Sequence, residues 1–351
     1  MSTLTPESGR QSNGFNTLVR NNIFLILTIV VLALLPFVVA ILDGLSISDV
    51  LANADGQSKF VQGLLIEIFI LGVYAISYDL VFGITGLLSF GHAMFFAAGL
   101  YGAGLSALHL SLGAPGAFLF GIGAGFALSL AAGLIMLRTS GVGFMIVTLM
   151  FAQAGYLTSL YFAPLTRGDE GFVLKGDIRR AALPGGLSLD LTNPVVRYNL
   201  ALALLGVCVI GCLALVRSPI GRVLVAIREN EERTRMLGYD IEANKLLAYV
   251  VSGTVAAAAG AAYALLFAYV GATFASIQYS ILPLLWVLLG GAGTVLGPLV
   301  GTLLMFYLVD VTSGQTSAYM LVVGIALLVL VVWFPKGLLG TLRERAAPWL
   351  P

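Results

Sequence analysis

What this 351-residue sequence most lacks is charge. Asp, Glu, Lys and Arg together make up 10% of it, against 59% hydrophobic residues. Soluble proteins carry about a quarter charged residues; a soluble fold could not cover itself with so few, whereas lipid needs no charged cover. The net charge of +1 leaves no basic surplus, so no nucleic-acid partner is expected. Cysteine is equally scarce. Cys208 and Cys212 stand one helical turn apart in an apolar run, a spacing unsuited to a disulfide on a straight helix, and read as free buried thiols. The two histidines, His92 and His109, have no Cys, His or carboxylate neighbours at metal-ligand spacing, so no metal is expected. The phosphate-loop pattern G-x-x-x-x-G-K-[ST] is missing, as are G-x-S-x-G, H-E-x-x-H and any paired-carboxylate signature. Nothing supports a membrane enzyme, and ATP hydrolysis, if used, must come from another subunit.

What the sequence does have is apolar length. Runs of about 17 to 25 apolar residues place spans at 23–42, 62–82, 91–110, 113–137, 142–163, 198–217, 245–269, 280–290, 295–311 and 317–335. The eighth is short and reads as a half-span or a longer element. The expected fold is an all-α polytopic membrane protein of about ten transmembrane helices: a tail at 1–22, a membrane domain at 23–335 and a tail at 336–351. The run 23–42 is too long for the apolar core of a secretory signal, and no small-residue cleavage pattern follows it, so it reads as a retained span. Twelve Lys and Arg residues fall on the side of the N-terminus and six on the other, five of the six in one long loop. That asymmetry puts both termini in the cytoplasm. The 42 glycines suit helices that approach closely in a bilayer.

Two connections stand out. The loop 164–197, expected on the periplasmic side, mixes both charge signs with Gly and Pro; Arg167, Asp169 and Glu170 in it are candidates for contact with a soluble partner. The cytoplasmic stretch SPIGRVLVAIRENEERTRMLGYD reads as one helix over 219–238. Ser218 suits its cap, Pro219 its first position and Gly238 its stop. Arg228/Glu232, Glu229/Arg233 and Glu231/Arg235 are spaced as salt-bridge pairs. Such a helix either lies on lipid or docks a partner as a rigid lever, and Glu229, Glu231 and Glu232 favour the partner because anionic headgroups would repel them. The Gly-rich run 290–301 lacks the phosphate-loop lysine; Gly297 and Gly301 form a small-xxx-small pair suited to close helix packing.

Within the spans, Glu67 and Asp79 are costly in lipid and therefore functional candidates. Glu67, Tyr74 and Tyr78 recur at helical spacing on one face, which either lines a polar pathway or forms an interhelical hydrogen-bond network. Ser89 and His92 open the next span and join the same candidate set.

At these residues the chain resembles the inner-membrane permeases of branched-chain amino-acid ABC importers, the LivM-type subunit. Residues 77–104, SYDLVFGITGLLSFGHAMFFAAGLYGAG, are similar to the family's LNLxxGxxGLLSLGHAAFFxxGAY. TRGDEGF at 166–172 is similar to the outer-loop TGGxDGL, with Arg167 in place of a Gly; Asp79 stands where the family usually has Asn. Residues 221–249 correspond to the coupling region, and GGAGTVLGPLVG with FPKGLLG completes the match. The resemblance implies a permease core like that of the vitamin B12 importer, with 219–238 as the cytoplasmic coupling helix. It implies a second related permease, two cytoplasmic ATPase subunits that use ATP and Mg, and a periplasmic solute-binding protein, with no cofactor on this chain. Arg222, Arg228, Glu229, Asn230, Glu231, Leu237 and Gly238 would then meet the ATPase, and Arg167, Asp169 and Glu170 the binding protein. Relatives of the family carry urea, short amides or aromatic acids, so branched-chain or related small amino acids are one of several possible cargoes. A secondary transporter working through Glu67 or Asp79 is the rival from another class; it would need no ATPase.

Overall fold

The computed structural model describes residues 31–39, 41, 57–182 and 188–345. The chain divides into two units, Met1–Gln62 and Gly63–Pro351. In the first, residues 31–39 are helical and the Ser58 hydroxyl donates to the Pro36 carbonyl at 2.9 Å. The rest of the expected first span, and both chain ends at 1–22 and 346–351, lie outside the described residues.

Among the described residues five helices are long and apolar enough to cross a membrane, with four shorter apolar helices beside them. α1 (Gln57–Asp79) runs into a π-helical turn, Leu80–Ile84. Gly86, at φ +81°, stops it in the left-handed conformation that glycine adopts without strain. Then follow α2 (Ala93–His109), α3 (Ala114–Met136), α4 (Val142–Tyr161), α5 (Pro194–Arg217), α6 (Pro219–Glu229), α7 (Glu231–Met236) and α8 (Ile241–Phe267). The chain closes with α9 (Ile277–Gly290), α10 (Gly297–Ser313), α11 (Tyr319–Trp333) and α12 (Gly337–Arg345). Helices coincide to within about five residues with the nine expected spans from 62–82 onward, and five of them are long and apolar enough to cross a membrane. The last tail differs: 337–345 is helical, and Gly337 lies against the backbone of Gly291.

In lipid, helices associate by close van der Waals packing rather than by expulsion of water, so small residues gather where backbones meet. α2, α3 and α8 follow that rule. A Cβ on Gly99 would strike the backbone of Ala257, and one on Gly260 the backbone of Phe96. Gly290 of α9 packs in the same way against the backbone of Gly297 and Gly301, the small-xxx-small pair of α10. α1 and α2 are buried for most of their length, whereas α3, α4, α5 and α11 leave Leu119, Leu134, Met150, Val207 and Leu328 exposed as a lipid-compatible cover.

The long loop is more ordered than composition suggests. β1 (Phe172–Val173) pairs antiparallel with β4 (Tyr269–Val270), and β2 (Arg180–Ala182) with β3 (Ser188–Asp190). Arg179 donates to the carbonyls of Leu191, Leu265 and Leu266, and Arg197 donates to Leu266. Two guanidinium groups thus sit on the last-turn carbonyls of α8, where unsatisfied C=O groups carry partial negative charge. Burial, and then the neighbouring charge of Arg197, pull the Arg179 pKa down from its usual value; Asp190 opposes them.

Segment 219–238 is not one helix. Asn230 takes an extended conformation, φ −164° and ψ 104°, and its side chain caps α7 by accepting from the Arg233 amide at 2.9 Å. The cap and start at Ser218 and Pro219 are as expected, and Gly238 ends the segment at φ +88°. The break interrupts the helical spacing of Arg228/Glu232 and Glu229/Arg233, while Glu231, at the start of α7, forms an ion pair with Lys245.

Candidate functional site

α1 turns Tyr74, Ser77 and Tyr78 toward the start of α2. Buried polar groups need partners, and these find them across four elements. Ser77 Oγ lies 2.9 Å from His92 Nε2. The Tyr78 hydroxyl donates to the Ser89 carbonyl at 2.9 Å, and the Tyr74 hydroxyl to the Tyr279 carbonyl at 3.1 Å. Ser280 Oγ accepts from the Ala93 amide at 3.0 Å, and Ser252 donates to the Ser77 carbonyl. The His92 ring stacks on Tyr74, centroids 5.4 Å apart, and meets Tyr78 edge-on at 5.2 Å. Tyr74, Tyr78, Ser89 and His92 are all fully buried. They touch one another and form a closed knot that ties α1 to α2, α8 and α9.

Glu67 shares their helix face but lies seven residues earlier, about 10 Å along the axis. There the bundle is more open. Glu67 is half-buried, and its carboxylate lies close to the Tyr263 hydroxyl of α8. It is within electrostatic reach of Tyr279 in the first turn of α9. Rings surround this point: Phe274 lies 4.8 Å from Tyr263 and 5.1 Å from Tyr279, and Phe96 lies 5.2 Å from Tyr279. Sequence reasoning did not find Tyr263, Phe274 or Tyr279, because helical periodicity within α1 says nothing about what two other elements bring to it.

Asp79 belongs to a different place, at the opposite end of α1. Its Oδ1 accepts from the Gly293 amide at 2.8 Å. One turn on, the Gly83 carbonyl accepts from the Arg228 guanidinium of α6, and the Arg228 stem lies against Gly86. Leu224 of α6 packs with Leu80, Ile84 and Ala248, so an apolar contact backs the polar one. Arg228, expected to face a partner, is exposed, and its guanidinium also donates to the Gly83 carbonyl. Gly83 and Gly86 stand in the family-like segment 77–104 and Gly293 in the Gly-rich run 290–301, but nothing in the sequence paired them with Arg228.

The remaining residues of that segment point outward. Arg222, Glu229, Asn230, Glu231, Leu237 and Gly238 are exposed. So are Met236 and Leu237, at 80% and 72%, an apolar tip on an otherwise charged surface. At the opposite end of the bundle Arg167, Asp169 and Glu170 are exposed side by side. Arg167 takes a left-handed conformation at φ +59°, Thr166 anchors the turn to the Ser159 carbonyl at 2.6 Å, and the Glu170 carbonyl accepts from Tyr269 at 3.3 Å. Among the described residues no three His, Cys, Asp or Glu side chains gather as a metal site.

Residues 60–332 match the family described as "Branched-chain amino acid transport system / permease component". The high-affinity branched-chain amino acid transport system permease protein LivM of Escherichia coli (strain K12) is 29% identical over 294 residues, covering 78% of this chain and 68% of the relative. Its counterpart in Salmonella typhimurium is 28% identical over the same shares. A probable LivM of Methanocaldococcus jannaschii is 36% identical over 90 residues, 25% of this chain and 26% of the relative. No solved structure matches the chain.

Proposed function

Because the chain belongs to the branched-chain amino acid transport permease family, we propose that it is the membrane subunit of an ATP-driven importer for branched-chain or related small amino acids. In this reading about ten helices form a core of the vitamin B12 importer type in the inner membrane, with both termini cytoplasmic. The chain binds no cofactor and hydrolyses nothing. Two ATPase subunits supply ATP and Mg chemistry from the cytoplasm, a second related permease completes the pathway, and a periplasmic binding protein delivers the solute to Arg167, Asp169 and Glu170.

The observation that carries the reading is the junction of Arg228 with the Gly83 carbonyl. A transport subunit driven by a separate motor needs a rigid link between its cytoplasmic surface and its core. Here the exposed tip at Met236 and Leu237 is the docking end, and α6 the lever. The bond to Gly83, with the Asp79–Gly293 bond beside it, passes displacement of α6 into the end of α1. Tyr74 and Tyr78 lie one to two turns away on that helix, so the knot around His92 moves with it. The knot holds the helices in register; the solute passes along the half-exposed face that Glu67 occupies.

The test is reconstitution in proteoliposomes with the partner ATPases, the second permease and the binding protein. Uptake of leucine that requires ATP, together with solute-stimulated hydrolysis, is the expected result. Uptake at the same rate without the ATPase subunits would establish a secondary transporter instead.

A further inference from the structure

We propose that Glu67 and the rings around it form the receiving site for the positively charged amino group of the solute, at the outer mouth of the pathway. The proposal deepens the importer reading above and rests on it; it sets the substrate class as amino acids rather than neutral amides or simple carboxylic acids.

Three observations converge. First, Glu67 is partly exposed, next to the stretch 68–81, which is buried throughout. A carboxylate is not stable against hydrocarbon; the exposed apolar Phe60 lies two turns nearer the start of the same helix, beyond the level of Glu67. The Glu67 face therefore meets water or another protein. Second, the backbone beside it is unwound. α8 ends at Phe267, the chain runs through β4 and a 3-10 turn at Ala272–Ala275, and α9 resumes at Ile277. α9 has 14 residues, about 21 Å of helix, short of the ~30 Å of a bilayer core. Unwound backbone at membrane depth is tolerated where it is buried in protein or lines a watery path, and interrupted helices mark the binding sites of many transporters. Third, the groups beside the carboxylate are aromatic: Tyr263, Phe274 and Tyr279 are half-exposed with it. A carboxylate for charge and ring faces for a desolvated cation are the two features that recognise an ammonium group. Neither would favour a urea or an uncharged amide, and the negative charge would repel a lone carboxylate. The position fits delivery from outside, because Tyr269 bonds to the Glu170 carbonyl of the exposed loop and its ring lies 6.1 Å from Phe274.

Both native cysteines are buried on α5, which leaves thiol chemistry open as a test on the complete importer in proteoliposomes. Glu67→Cys should lower the rate of leucine uptake by at least about tenfold, the usual worth of a charged hydrogen bond. A thiol reagent that adds a carboxyethyl group from outside should restore uptake, while one that adds a methyl group should not. Wild type should carry leucine in preference to 4-methylpentanoate and to acetamide. Equal restoration by the methyl reagent, failure of either reagent to reach the thiol, or parental uptake by Glu67→Gln would overturn the proposal. If wild type shows ATP-dependent uptake of acetamide or 4-methylpentanoate but not of leucine, the importer reading stands and this one falls. If uptake of leucine needs no ATPase, the importer reading fails on its own.

Discussion

Asp79 and Arg228 show how one polar atom decides a side chain's meaning. Asp79 uses an acceptor oxygen toward the Gly293 amide, and asparagine offers the same oxygen. Asp79→Asn should therefore transport within about twofold of the parent, while Asp79→Leu leaves a backbone amide without its partner and should lose tenfold or more, since such an orphan costs about 1–3 kcal/mol. Uptake in proteoliposomes measures both; equal loss in the two variants would mean that the charge, not the acceptor, is what matters. Arg228→Ala should insert at normal levels, because the spans do not depend on this bond, yet hydrolysis should become uncoupled from uptake. Gly83 tolerates no side chain at all: a Cβ there would meet the Asp79 carboxylate and the Gly293 amide. None of this was legible in the sequence. Asp79 and Arg228 could be flagged as costly or exposed, but their partners are backbone groups, which every residue supplies and no motif records.

At the scale of elements, long apolar runs have a single solution in lipid, a helix that satisfies its own backbone; that is why the spans could be placed from composition. The capping signals at Ser218, Pro219 and Gly238 were equally readable. The break at Asn230 was not, because salt-bridge spacing counted across it favoured continuity while the asparagine could cap a second helix. The two-part segment also sharpens the test of orientation. Thr234 is buried, so a thiol there would be protected on either side of the membrane; Met236 and Asp169 are exposed and make better probes. A cysteine at Asp169 should react with an impermeant reagent added to intact cells, and one at Met236 only after the cells are opened. The opposite pattern would invert the topology.

For the whole molecule, the glycine seams decide whether the helices assemble. Gly260→Val should push α8 from the backbone of Phe96 and leave the protein aggregated or proteolysed, as judged by size-exclusion profile in mild detergent. Gly211→Val is the matching control: nothing lies within 4 Å of that site, so it should behave as wild type. On the loop face, neutralising Arg167, Asp169 and Glu170 together should weaken capture of the binding protein most at low salt, since rim charges act on association and are screened. Affinity that does not change with ionic strength would place the landing surface elsewhere. The pairing of Phe172 with Val270 bears on when that surface exists at all. Its two strands are separated in sequence by α5 through α8, and a ladder of two residues is too short to hold itself together. Synthesis delivers Phe172 long before Val270, and the register waits until α8 has been inserted. In the proposed importer the loop face is thus completed only after α8, so a subunit in which α8 has not entered the membrane does not yet present a finished landing surface.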